Sequence, residues 1–269
     1  MIIWNDLPFE LKLEVFQYLT RKERLKFGQC SFSCLKQVLQ EEKEIESLTI
    51  EKITRGKKNT IFKLTIDFTF EITFKKIGEL CEIRQSGEIM WKSTGNAENL
   101  AVRFFKHILM KSRNNLRELK IWKLDFHIKN KSIDNFPLLQ AFDISTSQID
   151  QLYYFLAKSE NIKYLYLELE EVIGNAKHTL KLAEDFKWIS LEKIRLKSNN
   201  SDVAMDILYR LNNRKYREIE VLIFDEKFEN VDQKLMDIFR KTFYLRTNLK
   251  FTNKQFIELE KIVNSIELH

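Results

Sequence analysis

The sequence predicts an α+β chain that turns α/β toward its C-terminus: three short helices, a small β-rich segment, then an irregular arc alternating strands with helices. Three observations carry that expectation. Residues 8 to 39 hold apolar side chains at helical spacing in three separate stretches. Residues 60 to 74, "TIFKLTIDFTFEITF", alternate apolar and polar. Beyond residue 115, the pattern apolar-x-x-apolar-x-apolar returns at steps of 23, 23, 29 and 25 residues. At 269 residues, 44% of them apolar, the chain can bury a substantial core. Six Gly and two Pro leave little room for a flexible linker.

The first helix begins at Pro8, where a missing N–H costs nothing, and Glu10 and Glu14 suit its early turns. Phe9, Leu11, Leu13, Val15, Phe16, Tyr18 and Leu19 leave only Glu10, Lys12, Glu14 and Gln17 polar, and Glu10, Glu14 and Gln17 form one narrow stripe. "TRKE" from Thr20 to Glu23 is a capping box that restarts the helix, which continues through Leu25 and Phe27. A third stretch, "SFSCLKQVLQEEK", sets Phe32, Leu35, Val38 and Leu39 on one face. Three helices of this size cannot hide so much hydrocarbon alone. The excess needs a partner, either the rest of the chain or another protein.

This segment resembles an F-box, the module that docks substrate receptors onto the Skp adaptor of Skp/cullin/F-box ubiquitin ligases. Leu7, Pro8 and Glu10 match the family's opening; Leu11, Val15, Phe16 and Leu19 match its first helix; Arg24, Leu25 and Phe27 match its second. Cys30, Ser33 and Leu35 fall where the family has its third, although Gln29 replaces an aliphatic and a Trp is missing. The resemblance implies an N-terminal three-helix F-box over residues 1–44, with residues 45–269 as a substrate-binding domain. It implies docking of the adaptor, and through it a cullin, by Leu7, Pro8, Leu11, Val15, Phe16, Leu19 and Leu25. The order of segments is also similar to that of the large nematode F-box families with F-box-associated C-terminal regions.

After the charged run "EEKEIE", residues 60 to 74 set Phe62, Leu64, Ile66, Phe68, Phe70, Ile72 and Phe74 on one face. The run is long for one strand, so a bend or tight turn within it is expected. "ELCEIRQ" and "GEIMWK" extend a meander about the turn "SGE", and "NAENLAVRFFKHILMK" reads as a helix. The recurring triplets follow at Leu116/Leu119/Ile121, Leu139/Phe142/Ile144, Ile162/Leu165/Leu167, Leu191/Ile194/Leu196 and Tyr216/Ile219/Val221, with an earlier copy at Ile45/Leu48/Ile50. One strand and one helix per unit is the arithmetic of a leucine-rich-repeat-like solenoid. The Asn or Cys of a regular repeat is met only by Asn199, so the arc is expected to be degenerate. Strand alternation then directs Lys120, Asp143, Tyr164, Tyr166, Lys193, Arg195 and Glu220 to the opposite face. Of these, Lys120, Tyr164, Tyr166, Lys193 and Arg195 form the candidate surface for a protein client, since paired aromatics beside charges are what interface hot spots use. Trp91, Trp122 and Trp188 fit a plain core.

Catalytic signatures are missing. The glycines are scattered singly, so no phosphate-binding loop is expected. His107, His127, His178 and His269 lie in no metal-binding context, and Cys30, Cys34 and Cys81 make neither a disulfide framework nor a paired metal motif. No catalytic residue, metal or cofactor is expected. With no signal peptide or bilayer-length apolar run, the expected compartment is cytoplasmic or nuclear, with no membrane partner. Net charge is +6, and the basic surplus is densest from Lys106 to Lys123. An acidic client surface would suit it. The resulting expectation is a non-catalytic adaptor that recruits a client for ubiquitylation. A sequestering binder and a basic nucleic-acid-binding repeat protein are the alternatives.

Overall fold

The computed structural model describes residues 18–20, 23, 45–55, 59–85, 87–124, 135–148, 152, 155–156, 158–173, 190–211, 215–226, 228 and 230–269. The chain divides into two compact units, Met1–Ser112 and Arg113–His269.

The first unit is built on an antiparallel meander of β1 (Ser47–Arg55), β2 (Asn59–Ile66), β3 (Phe70–Ile77), β4 (Leu80–Gln85) and β5 (Glu88–Thr94). Alternation buries Leu48 and Ile50 on β1, Phe62, Leu64 and Ile66 on β2, and Phe70, Ile72 and Phe74 on β3. The long run of residues 60 to 74 is therefore a hairpin, and Phe68, expected on the apolar face, sits at its tip, 65% exposed. Asp67 and Phe68 both take positive φ, 47° and 62°, within the three-residue connection between the paired Ile66 and Phe70, a conformation that glycine adopts most easily. Neither is a glycine, so the turn depends on outside support. The Asp67 carboxylate supplies it, accepting from the Glu46 and Ser47 amides at 2.9 and 2.8 Å. The helix α1 (Ala97–Ser112) lies against β2 and β3, its Phe104 ring 5.5 Å from that of Phe74. Ala101, Phe105, Ile108 and Leu109 are its buried stripe.

The second unit is parallel. β6 (Glu118–Trp122), β7 (Ala141–Gln148), β8 (Tyr164–Ile173), β9 (Lys193–Ser198), β10 (Tyr216–Ile223), β11 (Thr242–Thr247) and β12 (Ser265–Leu268) lie side by side in chain order. The apolar triplets place their residues in register: Leu119, Phe142, Leu165, Ile194, Ile219 and Leu245 form one fully buried row. Ile121, Ile144, Leu167, Leu196 and Val221 form the next. Phe155 packs against Phe136 and Phe142 with ring centroids 5.8 and 5.4 Å apart. Between strands run α2 (Ser201–Tyr209), α3 (Gln233–Phe239) and α4 (Asn253–Glu260), each opened by a side-chain cap: Asn200, Asp232 and Thr252.

The expected fold class does not hold. Among the described residues there are twelve strands and four helices, so sheet outweighs helix in both units, and helix and strand alternate only from β9 to β12. The β-rich segment is not a small insert but a five-stranded meander, and the expected leucine-rich-repeat-like arc is replaced by seven parallel strands. No three-helix F-box is described, because residues 1–17, 21–22 and 24–44 lie outside the described residues. The reason is physical. A recurring apolar triplet says that a strand buries one face, but it does not say how the chain returns to start the next one.

Candidate functional site

The outward rows of the parallel sheet are polar. In register across seven strands run Lys120, Asp143, Tyr166, Arg195, Glu220, Arg246 and Glu267. One row nearer the strand starts are Glu118, Tyr164, Lys193, Glu218 and Tyr244. Charges of opposite sign meet across strands: Lys193–Glu218 at 2.5 Å, Lys197–Glu168 at 2.5 Å and Arg195–Glu220 at 2.5 Å. Arg246 lies 3.7 Å from Glu220 and 3.6 Å from Glu267. The Tyr166 ring lies under both Arg195, 5.5 Å from its centroid, and Lys193, 6.0 Å away.

Exposed pairs of this kind contribute about 0–1 kcal/mol each. Glu220 differs, because it is only 5% exposed and stands between two guanidinium groups. Burial also raises the pKa of Asp143, against the Trp122 indole N–H that donates to it at 2.9 Å. Trp122 itself is 41% exposed and not part of the core; the indole bridges two strands on the outward face. A hydrogen bond to Glu267 raises the Tyr244 phenol, and a bond to Glu118 raises Lys120.

All five candidate client residues lie on this face. Tyr166, Lys193 and Arg195 come together as one cluster, and Tyr164 is the register neighbour of Lys193. Lys120 stands apart on β6, held 2.9 Å from Glu118 on its own strand. Sequence reasoning missed Tyr244, Arg246 and Glu267 because it did not find β11 and β12, and it passed over Glu218 on β10. Thr242 and Thr247 stand where β11 would show apolar residues, which hid that triplet; both are buried all the same. β12 does carry the spacing, as Val263/Ile266/Leu268.

Of the expected adaptor-binding set, Leu7, Pro8, Leu11, Val15, Phe16 and Leu25 lie outside the described residues; Leu19 is half-buried. The capping box read at "TRKE" is present. The Glu23 amide donates to the Thr20 hydroxyl at 3.4 Å, and the Thr20 amide donates to the Glu23 carboxylate at 2.8 Å.

Elsewhere, Cys81 is buried and burial pushes its thiol up, away from the thiolate a nucleophile needs. Among the described residues no group of three or more His, Cys, Asp and Glu could hold a metal ion, and no helix is long and apolar enough to cross a membrane. The basic run is divided: Lys106 and Lys111 lie on α1 of the first unit, Lys120 on β6 of the second.

Residues 4–42 match the family model of the F-box domain. The match supports an F-box protein, and with it attachment to a Skp-type adaptor and so to a cullin complex. Proteins built on this domain are in general adaptors rather than enzymes. No curated protein matches the chain.

Proposed function

We propose that this chain is a substrate receptor of a Skp/cullin/F-box ubiquitin ligase, acting in the cytoplasm or nucleus. Residues 1–44 dock the adaptor through Leu7, Pro8, Leu11, Val15, Phe16, Leu19 and Leu25. Residues 45–269 hold one protein client, with Tyr166, Lys193 and Arg195 on the outward sheet face as its first contacts and Tyr164 and Lys120 beside them. The order of segments fits the nematode type. The observation that carries the proposal is the F-box match over residues 4–42, joined to an apolar surplus in those residues that three short helices cannot bury.

Co-expression with a Skp-type adaptor followed by sizing chromatography tests it. Stable co-elution is expected, and Leu11→Asp with Phe16→Asp should abolish it while the chain stays folded. Co-elution that survives the double change would count heavily against the docking role. The outward face argues against nucleic acid as the client, since Glu118, Asp143, Glu168, Glu218, Glu220 and Glu267 stand among its cations.

A further inference from the structure

On the outward face β7 carries only short side chains, Ala141, Asp143 and Ser145, alternating with the buried Phe142 and Ile144. Its register neighbours are taller on both sides: Glu118, Lys120 and Trp122 on β6, and Tyr164, Tyr166 and Glu168 on β8. β7 is therefore the floor of a trough whose walls stand about 10 Å apart, twice the strand spacing. Three contacts fix the Trp122 wall. Trp122 is the register partner of Ser145, the Lys123 amide donates to the Ser145 carbonyl at 3.0 Å, and the Trp122 indole N–H donates to Asp143 at 2.9 Å. On the other wall, Lys193 and Arg195 reach the Tyr166 ring from β9, the side away from β7.

Asp143 differs from the other carboxylates of this face. Glu118, Glu168, Glu218, Glu220 and Glu267 each have a lysine or arginine at 2.5 to 3.6 Å. Asp143 forms no ion pair among the described residues. The Trp122 indole takes one site on its Oδ1, and a carboxylate offers about four. Lys120 and Arg195 act on it only from farther off, each held by a glutamate, and burial keeps its pKa raised. Lys120, Lys193, Arg195, Lys197 and Arg246 are all paired. What the trough lacks is a cation.

We propose that the trough takes an arginine side chain from a client segment, its guanidinium bonded to Asp143 and stacked between Trp122 and Tyr166. A planar guanidinium can donate to a carboxylate and lie on aromatic rings at once, whereas a lysine ammonium is a point charge. Trp122 is 41% exposed, so the wall it forms is open to a partner. The site deepens the client reading and rests on it only for the protein the segment belongs to. An acidic segment fits less well, since it would meet Asp143 and cations already engaged by glutamates.

Nuclear magnetic resonance on the full chain tests this, reading the Trp122 indole N–H, which is identified by its loss in Trp122→Phe. The probe is a short peptide with one central arginine among glycines and serines, compared with versions carrying citrulline or glutamate instead. Saturable movement of the indole signal is expected with the arginine peptide. Citrulline keeps the shape and loses the charge, and should bind about tenfold more weakly. Asp143→Asn keeps an acceptor for the indole and should weaken arginine binding about tenfold, with unchanged circular dichroism. No saturable movement, equal binding of the citrulline peptide, indifference to Asp143→Asn, or tighter binding of the glutamate peptide would each overturn the proposal. Adaptor co-elution on the same preparation separates the two readings. Arginine binding without adaptor docking would sink the ligase role and leave the trough; docking without arginine binding would do the reverse.

Discussion

Asp143 and Glu220 are both carboxylates on one outward row, yet their neighbours differ. Asp143 has its pKa raised by burial, so the folded state disfavours its charged form. The native state then holds the proton over a window in which the unfolded chain has released it. Stability falls as pH rises from the ordinary aspartate range, near pH 4, through the raised folded value. Asp143→Asn keeps an acceptor for Trp122 and removes that penalty. The urea midpoint of the variant should exceed the original at pH 7, and the gain should shrink toward nothing near pH 3; a pH-independent difference would contradict this account. Glu220 is buried between Arg195 and Arg246. Glu220→Gln should therefore destabilise by about 1–2 kcal/mol, while Glu267→Gln, on the exposed rim, should stay within about 0.5 kcal/mol. Neither partner of these carboxylates follows from local sequence, since Arg195 and Glu220 are 25 residues apart.

At the scale of elements, local rules worked where the signal was local. The capping box at Thr20 was legible, and "TNKQ" obeys the same rule at α4: the Gln255 amide donates to the Thr252 hydroxyl at 3.3 Å and the Thr252 amide to the Gln255 side chain at 2.9 Å. Thr252→Ala should cost about 1 kcal/mol in chemical denaturation, and Thr252→Ser only a few tenths. Where the signal was not local, reading failed. The turn at Asp67 and Phe68 has no glycine or asparagine to mark it, and it is held by amides twenty residues earlier in the chain. β11 escaped for a related reason. Threonine serves its buried row as well as a branched aliphatic would, but it does not read as apolar.

At the scale of the whole molecule, net charge misdirected attention. The chain carries +6, yet the outward face of the parallel sheet matches its cations with carboxylates. By itself the sequence determined which residues of each recognised strand turn inward, because a strand with one buried face must alternate. It also determined the F-box resemblance, which rests on an ordered local pattern from Leu7 to Leu35. Only the tertiary structure decided the fold class and the pairing of Arg195 with Glu220. Each depends on strands more than twenty residues apart in the chain coming within hydrogen-bonding distance, and hydrophobic period specifies the face of a strand without naming its neighbours.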